Sequence, residues 1–271
     1  MSTARVSPNA EVSHSEDSSP KVSTTQRVAQ VLTIFAGGDR WLGVSEISRR
    51  LDLGKAVVHR ILQTLVEEGL LSYSADTRLY CLGPTALSLG RNATRDNDVR
   101  AAAMPIISHL AAITGETTTV TAVSGHSRYY VGQVESAQHI RITINVGQRV
   151  PMAAGASGLS ILAFMPERDI ELALRVPLIK YTDRTVVDPD QIRKRLVTIR
   201  EQGWASSEGE RVLHSSSIAA PIFDASGMPA GSLSVAYLES RIVSSATDEL
   251  SALVCSAAAD ASAALQAIQR G

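Results

Sequence analysis

The sequence holds only two cysteines, Cys81 and Cys255, far apart and with no metal-ligand spacing. Their scarcity argues against a disulfide framework or zinc site and for two free thiols in a reducing cytosol. No run of about 18 consecutive apolar residues occurs, the length a bilayer span needs, so a soluble cytoplasmic chain with no membrane partner is expected. The first residues lack the basic start and apolar stretch of a signal peptide. H-E-x-x-H, P-loop and G-x-G-x-x-G patterns are missing too, and no cofactor is expected. There is no internal repeat, and no scattered histidine (His109, His126, His139, His214) stands in a ligand or catalytic pattern.

Net charge is also nearly absent, 26 Lys and Arg against 27 Asp and Glu. The balance hides an asymmetry: residues 21–91 carry nine basic and six acidic side chains, a surplus of three in about a quarter of the chain. At 271 residues and 44% hydrophobic, the chain can bury two cores. The Ser- and Pro-rich residues 1–22 read as a disordered extension.

The stretch Gly43 to Gly83 organises the rest. Val44, Ile47 and Leu51 fall on one helical face, and Val58, Ile61, Leu62 and Leu65 on another, with Asp52-Leu53-Gly54 between them. Past Gly69 the period becomes two: Leu71 and Tyr73, then Leu79 and Cys81, flank the turn Ala75-Asp76-Thr77. Helix, tight turn, helix and hairpin is the order of a winged helix-turn-helix, which lays its second helix in the DNA major groove. A preceding helix is expected from a cap at Thr24-Thr25 through Phe35, ending at Gly37-Gly38. Ser45 is placed to cap the next helix, whose end carries Arg49 and Arg50. The third helix presents Lys55, His59, Arg60 and Gln63 outside its apolar stripe, and Arg78 falls at the hairpin tip.

Beyond Pro84 the pattern predicts a linker helix to about Asn97, then a helix from Val99 to Ile113 interrupted by Pro105. Period-2 runs follow at Thr117–Val123, Tyr129–Val134 and Ile140, Ile142, Ile144. A helix from Ser157, one with Pro166 at its first position, and one opened by Asp188-Pro189 and closed by Gly203 come next. Strands at Ile218–Phe223 and Ser232–Leu238 flank the turn Asp224 to Gly227, and Thr247 starts a terminal helix. The expected fold class is α+β with a largely antiparallel sheet.

The run LGKAVVHRILQTLVEEGLL with RLYCLGPTALSLG resembles the DNA-binding half of the IclR family of bacterial transcription regulators. VGQRVPMAAGASGLSILAFMP, TDRTV, IREQGWASSEGE and SIAAPIFDASGMPAGSLSV resemble its effector-binding half, in order, over roughly Ser23 to the C-terminus. The resemblance implies a winged helix-turn-helix over 23–83, a linker helix over 84–98 and a GAF-like effector-binding and oligomerisation domain over 99–271. It implies a ligand-responsive repressor or activator of a metabolic operon, binding double-stranded operator DNA as a homodimer or a dimer of dimers. Its effector would be a small organic or aromatic acid. DNA-binding positions would be Thr24, Arg27, Ser45, Arg50, Lys55, Ala56, Val57, His59, Arg60 and Arg78. Family members often carry Ser-Thr where this chain has Ala56-Val57, which exchanges hydroxyl contacts for methyl groups suited to a thymine methyl.

Family pocket positions map to Ile142, Ala156, Ser157, Ser207, Ser217, Ser234 and Ala236. Small residues there would leave room for a ligand, and the helix start at Ala156-Ser157 would offer free N–H groups to a carboxylate. Two other classes of function compete. A hydrolase with an accessory helix-turn-helix would use Ser157, but G-x-S-x-G requires glycine where Leu159 stands. A sensor could instead bind a protein through its helix-turn-helix face. Glu208 and Glu210, two apart, are read as a solvated pair rather than metal ligands.

Overall fold

The computed structural model describes residues 23–37, 39–95, 97–241 and 247–270. The extension expected over 1–22 lies outside them, as does Gly38.

Helix α1 (Thr24–Thr33) is capped by Ser23, whose hydroxyl accepts from the Gln26 N–H at 3.2 Å. The cap is therefore Ser23 rather than Thr24 or Thr25, and Thr24 occupies the first helical position. A 3-10 turn, Ile34–Gly37, follows. Helix α2 (Val44–Leu51) starts from Gly43, with no side-chain cap. Ser45 lies inside the first turn and does not cap the helix, which corrects the expectation. A Cβ on Gly43 would stand 3.3 Å from Leu79, so the packing of the hairpin favours a bare backbone at that point.

Asp52 takes a left-handed conformation (φ 51°), and the Leu53 N–H and carbonyl are both held by Ser48, through its carbonyl and hydroxyl respectively. This closes the turn into α3 (Lys55–Glu67). Val58, Ile61, Leu62 and Leu65 of α3 meet Val31, Phe35, Ile47 and Leu71 in one core. Strands β1 (Leu71–Ser74) and β2 (Leu79–Leu82) pair antiparallel, Leu71 opposite Leu82, with Arg78 exposed in the turn at φ 57°.

Helix α4 (Pro84–Arg95) leads to α5 (Asp98–Thr114), which Asn97 caps and Gly115 closes. Helix α5 runs through Pro105 instead of breaking there. Proline removes one N–H, and the stripe Ala102, Ala103, Ile107 and Leu110, buried against the sheet, holds the turns on either side.

Six strands form the second sheet: β3 (Thr117–Ser124), β4 (Ser127–Val134), β5 (Arg149–Pro151), β6 (Ala205–Glu208), β7 (Ser215–Phe223) and β8 (Pro229–Leu238). Their order is β5-β4-β3-β8-β7-β6, and every neighbouring pair is antiparallel. The alternating Ile140, Ile142 and Ile144 do not form the strand their spacing predicts. Side chains take the bonds a ladder would supply: Thr117 Oγ1 donates to the Ile142 carbonyl at 2.7 Å, and Gln133 Oε1 accepts from the Ile144 N–H at 3.1 Å.

Helices cover both faces of the sheet. Helices α5 and α9 (Thr247–Arg270) pack on Val120, Ile218, Leu233 and Val235. On the other face α6 (Gly155–Leu162), α7 (Glu167–Arg175) and α8 (Pro189–Gln202) enclose Leu159, Ile170, Ile192, Leu196 and Ala219. Pro166 is the N-cap of α7, one place before the first helical position expected for it. Asp188, Pro189 and Gly203 bound α8 as their types predict. Among the described residues only α9 is long and apolar enough to cross a membrane, and Leu250, Val254, Ala258, Ala261 and Leu265 bury one face of it in the core.

Candidate functional site

The first candidate surface is the exposed side of α3. Lys55, Ala56, His59 and Arg60 are exposed and Val57 is half-buried, so the first two turns present a cationic and methyl-bearing edge, and the wing residue Arg78 is exposed as well. None of Lys55, His59 or Arg60 is sealed in a core. Thr24 and Ser45 are exposed on α1 and α2; Arg27 is half-buried, its Nε enclosed and without a hydrogen-bond partner. Arg50 is already engaged, with Asp39 at 2.5 Å and Glu46 at 2.5 Å, while Arg49 also holds Glu46 at 2.7 Å. Hydrogen bonds from Arg49 and Arg50 hold the Glu46 carboxyl below its ordinary range, and the bond to Asp39 raises Arg50. Any phosphate contact by Arg50 would compete with these exposed pairs.

The second is a cavity of about 250 Å³ between the sheet and α6. Ile142, Ala156, Ser157, Ser207, Ser217, Ser234 and Ala236 all line it. Register explains the convergence: Ser217 pairs with both Ser207 and Ala236, and Ser234 stands opposite Thr119, with their hydroxyls 2.6 Å apart. The TDRTV motif has a structural task close by, since Thr182 Oγ1 donates to the Gly209 carbonyl and Thr185 Oγ1 to that of Glu210. Glu210 is buried and paired with Arg195 at 2.9 Å, which corrects the expectation of a solvated pair, and among the described residues no group of three or more His, Cys, Asp or Glu is arranged to hold a metal. Glu208 is exposed.

The residues that sequence reasoning missed carry the charge. Arg128 of β4 lines the cavity and is 1% exposed; its Nη2 donates to the Ala154 carbonyl at 2.9 Å, whereas Nε and Nη1 have no partner. Arg211 also lines it, donating through Nη1 to the Tyr130 hydroxyl at 2.7 Å, with its Nε enclosed and unpartnered. Both guanidiniums lie against the Tyr130 ring, at 5.5 and 5.9 Å from its centroid, and Arg211 also lies 5.6 Å from that of Tyr181. Burial pulls Arg128 below its ordinary value, and the charge of Arg211 adds to the pull. Burial pushes the Tyr130 phenol up, but the two cations together bring it below its usual range.

The small residues of α6 acquire a second meaning here. A Cβ on Gly158 would stand 3.0 Å from Arg128 Nε and 2.1 Å from the Met152 carbonyl, and one on Gly155 3.0 Å from Arg211 Cδ. Glycine at these points gives the arginines their seats. A larger groove of about 1040 Å³ lies between α4 and strands β3 and β4, lined mainly by apolar side chains such as Leu82, Leu87, Ala122 and Val131. The smaller cavity has the convergent polar groups and buried cation of a specific ligand site, and the larger groove does not. Tyr130 borders both.

A winged helix-turn-helix joined through one helix to a sheet that encloses a polar cavity defines a regulator with its own sensor. The IclR helix-turn-helix domain model matches residues 24–75, and that of the bacterial transcriptional regulator IclR C-terminal domain matches 91–263. The HTH-type transcriptional regulator BhcR of Paracoccus denitrificans is 31% identical over 242 residues, 89% of this chain and 86% of that protein. The glycerol operon regulatory protein of Streptomyces coelicolor is 31% identical over 82% of this chain and 87% of its own. Among solved structures, an IclR transcriptional regulator from Alicyclobacillus acidocaldarius superposes with a TM-score of 0.77 at 30% identity, covering 89% of this chain and 98% of that one. The chain belongs to the IclR family of bacterial transcriptional regulators. Its C-terminal fold is GAF-like, and it is a ligand-responsive, DNA-binding regulator.

Proposed function

We propose that residues 23–83 bind operator DNA, residues 84–98 link, and residues 99–271 sense a small organic acid in the cavity beside α6. Lys55, Ala56, Val57, His59 and Arg60 face the major groove, Arg78 reaches a phosphate or the minor groove, and Thr24, Arg27, Ser45 and Arg50 flank the backbone. The observation that carries the sensing role is Arg128, a buried cation with two donors unused and no carboxylate beside it. An isolated charge in the interior is costly, and an arriving carboxylate relieves that cost through charge-assisted bonds. The volume sits just under the roughly 300–1,000 Å³ of ordinary ligand clefts, which suits a small metabolite.

Regulation is linkage: an acid that prefers one arrangement of the subunits shifts operator affinity by the ratio of its affinities for the two states. The working form is a homodimer or a dimer of dimers in the cytoplasm. A module with so small a basic surplus gains from two linked half-sites, and exposed Leu87 and Leu89 on α4 offer apolar surface for pairing.

The protein is not an enzyme in this reading. Ser157 has no base beside it, for no His, Asp or Glu is among the described residues lining its cavity, and a serine nucleophile needs one. The experiment is a thermal-shift screen of carboxylates followed by gel shift on the DNA upstream of the protein's own gene, with ester, amide and lactone turnover measured alongside. Stabilisation by an acid that also changes the gel shift is expected. Hydrolysis lost on Ser157→Ala would contradict the reading.

A further inference from the structure

Charge bookkeeping inside the cavity specifies the effector more narrowly. Two guanidiniums border it, and each holds an enclosed donor without a partner: Nε and Nη1 of Arg128 and Nε of Arg211. Several acids of the surrounding segments are committed to other cations. Glu210 pairs with Arg195, Glu239 with Arg184, Glu135 with Arg141 and Asp183 with Lys180, and Glu208 is exposed. No Asp or Glu is among the described residues lining the cavity. The remaining polar lining is neutral, made of hydroxyls and the amides of Asn145 and Gln148.

The two cations are also held as a pair. Both are seated against Tyr130, Arg211 is tied to its hydroxyl, and the Gly155 and Gly158 positions admit the two side chains beside one helix. One carboxylate can satisfy Arg128 and leave the half-buried Arg211, with its enclosed Nε, without an anionic partner. We propose that the effector is a small dianion, with one anionic group on Arg128 and a second on Arg211, as in a dicarboxylic acid. The inference rests on the organic-acid reading above. Arg128 anchors any acid that enters, and Arg211 selects the doubly charged one.

The test is calorimetric titration of the full-length protein at neutral pH with matched pairs: butyrate against succinate, and benzoate against phthalate and terephthalate. In at least one pair the dianion should bind ten-fold or more tighter than its monoanionic counterpart. Arg211→Gln should bring the two members of that pair to similar affinity, Arg211→Lys should restore most of the difference, and Arg128→Gln should weaken both. Melting temperatures measured without acid show that each variant is folded. Equal binding of mono- and dianions in every pair, or an unchanged preference in Arg211→Gln, overturns the dianion while leaving the organic-acid sensor standing. No binding by any of these acids, whatever their charge, overturns both readings.

Discussion

The two halves of the molecule handle positive charge in opposite ways. In the winged unit the basic groups sit on the outside, where Lys55, Arg60 and Arg78 are solvated and Arg49 and Arg50 are tied to Glu46 and Asp39. In the sheet unit the decisive cation, Arg128, is inside, closed off by the glycines of α6 and left with unused donors. Surface charge costs little and responds to salt, which suits a polyanion that arrives and leaves. A buried unpaired charge costs a great deal and is compensated by one specific partner, which suits a small acid recognised singly.

The sharpest way to break that contrast is to remove the slack on each side. Gly158→Ala puts a methyl group 2.1 Å from the Met152 carbonyl and should cost about 3 kcal/mol or more, whereas Gly54→Ala, with nothing within 4 Å, should cost only the roughly 1 kcal/mol of a poorer N-cap on α3, by chemical denaturation. Arg128→Met comes next. If the buried charge is a functional burden, the ligand-free variant should match the parent or exceed it by up to about 2 kcal/mol; a loss of several kcal/mol would make Arg128 a structural strut. On the outer surface, Arg60→Ala should leave the melting temperature alone, weaken binding to all DNA sequences and reduce the slope of log affinity against log salt by about 1.

The smallest effect is at Glu46. Its carboxyl is lowered by Arg49 and Arg50, so its contribution is present above the ordinary value of 4.5 and is lost as pH falls through the lower folded value. Parent and Glu46→Gln should therefore differ slightly at neutral pH and converge in acid.

How much could be read in advance follows the same division. Exposed amphipathic helices declare themselves by period, so α3, its turn and the wing were legible, and only local details failed: Ser23 caps in place of Thr24, and Ser45 does not cap at all. The seven pocket positions drawn from the family likeness do meet around one cavity, although their small size alone could not distinguish ligand space from tight packing. Arg128 was invisible because it follows the turn at Gly125 at the start of a strand where two consecutive residues, Ser127 and Arg128, are both buried, so alternation does not separate inside from outside. Its tell-tale property is an unmet hydrogen bond, which only coordinates reveal. The isoleucines at 140, 142 and 144 failed for a related reason, since a period of two does not say whether Thr117 and Gln133 will intercept the backbone first.

An acid held by Arg128 governs, on this reading, what Lys55 and Arg60 do on DNA. Fluorescence anisotropy of the full-length protein on its upstream DNA, titrated with the best acid from the screen, tests it directly. The acid should shift DNA affinity in the parent, and Arg128→Met should bind the same DNA equally well in its absence but no longer respond. An undiminished response in Arg128→Met, at the same acid concentration, would contradict this reading.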